Sequence, residues 1–149
     1  GFSNFAASSI GDDVVMGGDL SDSIITKDGN DKVMGMAGDD LIDPGAGYDV
    51  VISGAGSDTI FVRQESMKGK LGFLSYLTLP DFSSEDELAL EEGIGYELID
   101  DFRLKLTFDD HEKIIVLSGS STLKEDESGM MRSEVGWEDI IANGQIVMV

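Results

Sequence analysis

The chain has 149 residues, of which 30 are acidic and 10 are basic, and its net charge at pH 7 is −20. This length fits one domain, or a repeat with a closely packed cap. So much negative charge opposes a compact state unless cations neutralise it, and it excludes nucleic acid as a partner because nothing could track phosphates. The chain has no cysteine and no apolar stretch long enough to cross a membrane, so disulfides and membrane insertion are not expected.

A nine-residue repeat covers residues 8–61. Its six lines read SSIGDDVVM, GGDLSDSII, TKDGNDKVM, GMAGDDLID, PGAGYDVVI and SGAGSDTIF. The sixth place of every line is an aspartate: Asp13, Asp22, Asp31, Asp40, Asp49 and Asp58. The eighth place is always a β-branched aliphatic: Val15, Ile24, Val33, Ile42, Val51 and Ile60. The fourth place is glycine in every line but the second, which has Leu20: Gly11, Gly29, Gly38, Gly47 and Gly56.

The composition of each line predicts a turn followed by a short strand. The first six places are rich in Gly, Asp, Asn and Ser, which favour tight and left-handed turns. The last three places form a strand with one apolar residue at its centre. Because so short a strand buries nothing alone, successive lines must stack. We therefore predict an all-β fold, a right-handed parallel β-roll of about three coils with a C-terminal β-rich cap.

The repeated aspartates indicate a bound cation. Stacking brings the carboxylate of one coil to about 4.8 Å from the same position on the next coil. Like charges at this distance repel each other unless a hard cation lies between them. Calcium takes about six to eight oxygens from carboxylates and backbone carbonyls. A solvated acidic turn is the alternative interpretation, but a turn needs no aspartate at one fixed place in every line.

The lines resemble the GGxGxDxUx nonapeptide of RTX (repeats-in-toxin) proteins. The resemblance implies that calcium ions lie between turns two lines apart, held by the sixth-place aspartates and by turn carbonyls, with about four ions in all. The candidate metal residues are therefore the six aspartates, the five fourth-place glycines, and Asp19 and Asp28 at the third place. The lines depart from the family pattern at Ser8–Ser9, at Leu20, and at Thr26 and Lys27.

The remainder of the chain has no nonapeptide period. KLGFLSYLTL (70–79) is apolar and partly alternating. Ser84 followed by Glu87 is a capping-box pattern, which predicts a short helix ending at Gly93.

Further elements are predicted towards the C-terminus. RLKLTF (103–108) and KIIVL (113–117) flank Asp109–Asp110, which predicts a β-hairpin. A helical turn or two is predicted over 137–142, followed by a strand over 145–149.

Residues 97–118 resemble the segment that closes the roll in serralysin-type proteases and in the R-modules of alginate epimerases. The ending ANGQIVMV is also similar to the endings of those modules. We therefore divide the chain into a calcium-binding roll, residues 1–62, and a capping region packed on the last coil, residues 63–149. The hairpin and the final strand are the candidates for covering the open edge of the last coil.

Catalytic residues are not predicted. His111 is the only histidine, so the chain has no HExxH zinc motif, and it has no cysteine nucleophile. A chosen pair of carboxylates carries no information in so acidic a chain. We therefore predict no enzyme activity and no organic cofactor.

These patterns favour a calcium-binding domain of a larger secreted protein, which folds on binding calcium outside the cell and assists export. Because the chain begins at Gly1 rather than Met, we expect a passenger domain on the same polypeptide. RTX-like proteins leave the cell by a one-step, type I channel that reads a C-terminal signal. The apolar tail over 140–149 fits such a signal or, as we favour, a final core strand.

Two alternatives stay open. The resemblance to epimerase R-modules implies a polysaccharide-binding or activity-modulating module of an extracellular enzyme. A segment of a surface adhesin is the other.

Overall fold

The computed structural model describes residues 5–7, 11–64, 74–83, 85–100, 102–117, 123–125, 131–133 and 137–149. The first half of the described chain consists of short strands: β1 (Phe5–Ala7), β2 (Val14–Met16), β3 (Ser23–Ile25), β4 (Lys32–Met34), β5 (Leu41–Asp43), β6 (Tyr48–Ile52) and β7 (Thr59–Val62). The second half adds further strands and one helix: β8 (Leu74–Leu79), β9 (Glu87–Leu90), β10 (Gly95–Leu98), β11 (Arg103–Phe108), β12 (His111–Leu117), β13 (Leu123–Glu125), β14 (Met131–Ser133), α1 (Trp137–Ala142) and β15 (Ile146–Met148).

Successive lines of the repeat contribute strands to two different sheets. The six-stranded sheet has the order β1-β3-β5-β7-β9-β15, and the seven-stranded sheet has the order β10-β11-β12-β8-β6-β4-β2. Strands two lines apart pair in parallel, so that Val33 lies in register with Val15 and Val51. This register confirms the all-β parallel roll, because equivalent places of the repeat lie side by side in a sheet when they are two lines apart.

The core of the roll is a single layer of side chains from the eighth place of each line. Five of these aliphatics are at most 1% exposed: Ile24, Val33, Ile42, Val51 and Ile60. Val15, at the N-terminal end of the stack, packs against this core but is only partly buried. Residues at the seventh place face outwards, as Lys32 does, because side chains alternate along a strand. Such a thin core leaves much of the stabilisation to the turns.

The non-repeating half continues the same two sheets. Strand β8 pairs in parallel with β6, and β9 pairs in parallel with β7, with Leu88 in register with Ile60. Strands β12 and β15 then pair in parallel with β8 and β9. The edges of the last coil are therefore covered directly by β8 and β9. The hairpin and the final strand, the predicted cover, lie one strand further out.

Three of the predicted C-terminal elements are confirmed. Strands β11 and β12 form the antiparallel hairpin, with Phe108 opposite His111 and Asp109 in a left-handed conformation (φ 57°) at the turn. Helix α1 spans the predicted helical turns, and β15 is the predicted final strand. No helix among the described residues is long and apolar enough to cross a membrane.

The helix predicted to end at Gly93 is wrong. Residues Glu87–Leu90 form β9 instead, because pairing with β7 buries Leu88 and Leu90 in the core. This tertiary pairing outweighs the local capping signal. Ser84 itself lies outside the described residues, and the turn before β9 is closed by Asp86, whose Oδ2 accepts a hydrogen bond from the Ser83 amide at 2.8 Å.

Helix α1 and Gln145, the residue before β15, connect this turn to the core. Trp137 is fully buried, its ring lies 6.0 Å from that of Phe82, and its Nε1 donates to the carbonyl of Phe102 at 3.1 Å. The Gln145 side chain donates to the carbonyls of Ser83 and Asp86 at 2.9 and 2.8 Å. The described part of the second half is therefore tied to the end of the repeat by both apolar and polar contacts.

In the third to sixth lines the second place of the turn adopts a left-handed conformation whatever residue stands there. Gly45 and Gly54 have φ of 71° and 93°, and Lys27 and Met36 have φ of 70° and 77°. This region costs an L-residue about 1–2 kcal/mol, whereas glycine enters it without steric penalty. The two departures from glycine are therefore places where the turn is strained.

Met36→Gly should raise the free energy of unfolding by about 1 kcal/mol, because it removes this strain and Met36 is exposed. Urea unfolding in saturating calcium measures the change. Met34→Gly is the matched control: Met34 lies in strand β4, where glycine weakens a strand, so that variant should lose stability. Equal losses in the two variants would show that the left-handed conformation at Met36 carries no cost.

Candidate metal centre

The sixth-place aspartates form two columns through the stack. The odd column contains Asp13, Asp31 and Asp49, and the even column contains Asp22, Asp40 and Asp58. At each step the backbone N–H of one aspartate donates to Oδ1 of the aspartate two lines later: Asp13 to Asp31 at 2.8 Å, Asp22 to Asp40 at 2.8 Å, Asp31 to Asp49 at 2.9 Å and Asp40 to Asp58 at 2.9 Å. One oxygen of each upper carboxylate is thus bound to the coil below.

The second oxygen of these carboxylates has no such partner. The five aspartates above the first line are 1–4% exposed: Asp22, Asp31, Asp40, Asp49 and Asp58. Among the described residues, buried Oδ2 atoms without a hydrogen-bond partner occur in Asp13, Asp31, Asp40, Asp49 and Asp58. A buried anionic oxygen without a partner is strongly unfavourable. In Asp31, Asp40, Asp49 and Asp58 the ladder therefore leaves one carboxylate oxygen without a hydrogen-bond partner, whereas Oδ2 of Asp22 accepts the amide of Gly18 at 2.6 Å.

Glycine at the first place of a line keeps a space open beside this oxygen. A Cβ on Gly35 would collide with Oδ2 of Asp40 and with the carbonyl oxygen of Ser53, two lines later. A Cβ on Gly17 would lie 2.5 Å from Oδ2 of Asp22 and 2.6 Å from the carbonyl oxygen of Gly35. A carboxylate oxygen and a carbonyl oxygen thus converge on each space. Calcium prefers this donor set, so the residues fit the ion that the repeat implies.

No three acidic, histidine or cysteine side chains among the described residues are grouped closely enough to hold a metal by themselves. Turn carbonyls are therefore needed to complete any coordination sphere. The carbonyl oxygens beside Gly17 and Gly35 are examples, because each lies against the space described above.

The buried carboxylates are electrostatically strained. Burial raises the pKa of Asp49 to about 7 and the pKa of Asp40 and Asp58 to about 6, and it also raises the pKa of Asp31. Neighbouring aspartates add to the rise, whereas the backbone hydrogen bonds of the ladder oppose it. The ionised columns therefore gain stability from any positive charge placed among them.

The odd column differs from the even one at the first place of the third line. Thr26 stands there, fully buried, and its hydroxyl donates to the carbonyl of Pro44 at 2.9 Å. Pro44 is the first residue two lines later, equivalent to Gly35 and Ser53 in the even column. A side chain therefore fills this part of the odd column, whereas glycine leaves the corresponding part of the even column open.

The fourth-place glycines shape the turns through their backbone. All five have positive φ, between 105° and 147°. A Cβ on Gly29 would collide with the carbonyl of Gly11, and one on Gly47 with the carbonyl of Gly29. Any larger residue would therefore separate the stacked turns at these places. Their candidate role as metal residues rests on the carbonyls, since they have no side chain.

The third-place aspartates lie outside the two columns. Asp19 is exposed and lines a surface cavity of about 340 Å³ with Met34 and Met36. Asp28 is half-buried, and its backbone carbonyl accepts a hydrogen bond from the amide of Gly11 at 2.9 Å.

A second ladder, which the sequence analysis did not identify, runs through the fifth place of each line. The side chain of Asp12 accepts from the amide of Asn30 at 2.8 Å, and the side chain of Asn30 accepts from the amide of Tyr48 at 3.0 Å. The Asp39 side chain accepts from the Ser57 amide at 2.8 Å in the same way. The sequence signal was present, because the fifth place is Asp, Asn or Ser in every line except the fifth.

The even column continues past the sixth line. The amide of Asp58 donates to Oδ1 of Asp86 at 3.0 Å, and the carboxylate of Asp81 accepts from the amides of Ser53 and Gly54 at 3.1 and 2.8 Å. Asp86 was missed because it follows Asp58 by 28 residues, whereas the repeat spacing is 18. Its signal was the aliphatic Leu88 two places later, the same spacing as within each line.

In the absence of calcium, the folded roll should be more stable at pH 5 than at pH 8. The folded-state pKa values of Asp40, Asp49 and Asp58 lie above the ordinary value of 3.8. The folded chain therefore holds protons that the unfolded chain has released, and stability falls as pH rises through the interval from about 4 to about 7. The fraction of folded chain in EDTA, followed by circular dichroism at several pH values, measures this slope.

Saturating calcium is the control for the pH experiment. Calcium requires the ionised carboxylates, so protons compete with it and the slope should reverse over the same interval. Stability that rises between pH 5 and pH 8 in EDTA would contradict the assignment of these carboxylates as buried and unneutralised.

Asp86→Ala should lower the free energy of unfolding by about 2 kcal/mol or more, because it removes the acceptor of the Asp58 and Ser83 amides. Thermal unfolding in saturating calcium measures the loss. Glu85→Ala removes the same charge from an exposed neighbouring side chain and should have little effect. Equal losses of stability in the two variants would show that the hydrogen bonds accepted by Asp86 do not stabilise the fold.

Comparison with known proteins agrees with this arrangement. The family model of the RTX calcium-binding nonapeptide repeat (4 copies) matches residues 8–42, 16–51 and 45–63. No curated protein sequence is significantly similar to the chain.

The chain is also similar to a solved structure, the solution structure of the AlgE6R3 subunit from the Azotobacter vinelandii mannuronan C5-epimerase. The TM-score is 0.51 and the sequence identity 23%, and the match covers 84% of this chain and 87% of that chain. This likeness concerns the fold, and it extends well beyond the repeat into the second half. The six-line segment thus matches the RTX calcium-binding nonapeptide repeat, and the chain is a calcium-binding β-roll domain.

Proposed function

We propose that this chain is the calcium-dependent folding domain of a larger secreted protein. The observation that carries the proposal is the set of buried Oδ2 atoms without a protein partner in both columns. Calcium bound between turns two lines apart would give these oxygens a partner, with about four ions for six lines. The proposed ligands are the six sixth-place aspartates and carbonyls of the glycine-rich turns.

Charge supports a calcium requirement for folding. The net charge of −20 repels itself in any compact state, and burial disfavours the ionised carboxylates. Binding of an ion to the folded state alone contributes its binding free energy to folding. Without calcium the chain is expanded at neutral pH, and with calcium it forms the roll.

The expected calcium affinity determines in which compartment the domain folds. Extracellular calcium modules bind with dissociation constants of roughly 10⁻⁴–10⁻³ M. At the much lower calcium concentration of the cytosol such a domain stays unfolded, which suits export through a type I channel. Folding after export makes the domain extracellular and leaves a passenger domain on the same polypeptide to carry any activity.

We further propose that residues 1–62 and residues 63–149 fold together as roll and cap. Strands β8 and β9 extend the sheets of the repeat, and Asp81 and Asp86 accept hydrogen bonds from its last turn. The cap therefore loses most of its partners when the repeat is disordered. Calcium binding in the repeat would then order both parts.

The domain is proposed to be non-catalytic. The carboxylates of Asp31, Asp40, Asp49 and Asp58 are held in backbone ladders, where each stabilises the adjacent coil. The single histidine, His111, begins β12 beside the hairpin turn. Activity is therefore assigned to the passenger.

Polysaccharide binding is a second candidate function, favoured by one feature of the outer face of the seven-stranded sheet. The rings of Tyr48 and Tyr76 lie 5.4 Å apart there, and both side chains are exposed. Lys105, two strands away from Tyr76 in the same sheet, is paired with Glu97 at 3.4 Å and so offers less charge to an acidic sugar. Binding of a neutral or acidic polysaccharide that is lost in Tyr48→Ala would support this candidate.

Circular dichroism in EDTA and then in millimolar calcium tests the main proposal. We expect an expanded chain in EDTA and a β-rich spectrum on adding calcium. Asp40→Ala should raise the calcium midpoint severalfold, because it removes a carboxylate from the middle of the even column.

Asp110→Ala is the matched control, because it removes the same charge from the exposed hairpin turn and should leave the midpoint unchanged. A complete β spectrum in EDTA at neutral pH would overturn the proposed calcium dependence. Equal midpoints for the two variants would overturn the assignment of the columns as the binding sites.

A further inference from the structure

The two columns end differently at the C-terminal side of the repeat. The last carboxylate of the even column, Asp58, is followed by Asp86. The last carboxylate of the odd column, Asp49, lies in register with Leu77, an apolar residue. Asp49 is 1% exposed, and its Oδ2 has no hydrogen-bond partner. No second carboxylate is therefore in register above Asp49 to share a metal ion with it.

A buried lysine stands at this end of the odd column. Lys113 belongs to β12 and is 0% exposed, and its Nζ donates to the carbonyl of Gly45 at 2.9 Å and contacts Oγ of Ser75 at 3.5 Å. Gly45 lies in the same line as Asp49, in the turn that precedes it. The ammonium group therefore sits against the last turn of the odd column, brought there from a strand 68 residues later.

The position of this ammonium follows the repeat. In the lower lines the carbonyl at the second place accepts the amide of the third place two lines later: Ala37 donates to Gly18 at 3.1 Å, and Ala55 donates to Met36 at 2.9 Å. For Gly45 there is no further repeat line to supply that amide. The donor is Lys113 instead, so the lysine takes over the contact that another coil would make.

The surroundings of Lys113 act on its charge in opposite directions. Lysine is almost never fully buried unless it is paired. Burial lowers the pKa of Lys113 to about 8, while the carboxylates of Asp49 and Asp43 raise it. Asp43 is also held by Arg63 in an ion pair, and the positive charge of Lys113 lowers the pKa of Asp49 against the effect of burial.

We propose that Lys113 is a built-in cation that closes the odd column, so that no calcium ion binds beyond Asp49. The single charge of the ammonium matches the single carboxylate at that level, where a divalent ion would lack a second one. The inference goes beyond calcium-dependent folding, although it rests on the columns being the calcium sites. Lys113, a residue of the capping region, would then supply a positive charge to the repeat.

A double-mutant cycle between Lys113 and Asp49 tests the proposal, with melting temperature measured on the full chain in saturating calcium. Lys113→Met keeps most of the side-chain volume and removes the charge, and we expect it to lower the melting temperature by roughly 10 °C. Adding Asp49→Asn should recover part of this loss, because one negative charge at this end of the column is then removed together with the ammonium, while its Oδ1 still accepts the Asp31 amide.

The control cycle pairs Lys32→Met, an exposed lysine of β4, with Asp49→Asn, and its effects should be additive. Additive effects of Lys113→Met and Asp49→Asn would overturn the proposal. If Lys113→Met does not fold in saturating calcium, folding of the double variant supports the proposal, and failure of both overturns it in favour of a packing role. A wild-type chain that folds without calcium would overturn the proposed function but would leave this cycle interpretable.

Discussion

The stacking of buried carboxylates is the interaction on which this fold depends. In Asp31, Asp40, Asp49 and Asp58 the first carboxylate oxygen is bound to the backbone of the coil below, and the second oxygen lacks a hydrogen-bond partner. Burying such a charge is costly unless it is paired. The single-layer core of the roll is too thin to offset several of these charges. A repeat with this geometry therefore makes its own folding conditional on cations.

The ends of the two aspartate columns show how the chain limits the number of cations that it needs. Residues of the non-repeating half contact each end: Asp81 and Asp86 accept amides at the end of the even column, and Lys113 donates to the Gly45 carbonyl at the end of the odd one. The second half is thus more than an apolar lid over the last coil. It extends both sheets and also determines the charge at the point where the repeat stops.

The repeat was predictable from the sequence, whereas its continuation was not. A fixed nine-residue spacing of Asp and β-branched residues constrains strand, turn and inward face together, so the roll followed from local pattern. Residues 87–90 were assigned to a helix because their partner β7 is distant in sequence and capping signals are local. Lys113 gave no signal at all, since its burial depends on a hairpin docking beside β8. Asp86 keeps the Asp–x–aliphatic pattern, but it follows Asp58 by 28 residues instead of 18. The nine-residue spacing therefore does not predict it.

Hydrogen exchange at the amides of the ladder tests the central claim most directly. The amides of Asp22, Asp31 and Asp40 each donate to a buried carboxylate of the next coil, so they report on the columns themselves. At neutral pH these amides should exchange at nearly unprotected rates in EDTA and become strongly protected in millimolar calcium. Strong protection of all three in EDTA would contradict the account, because the carboxylate columns would then be stable without a cation.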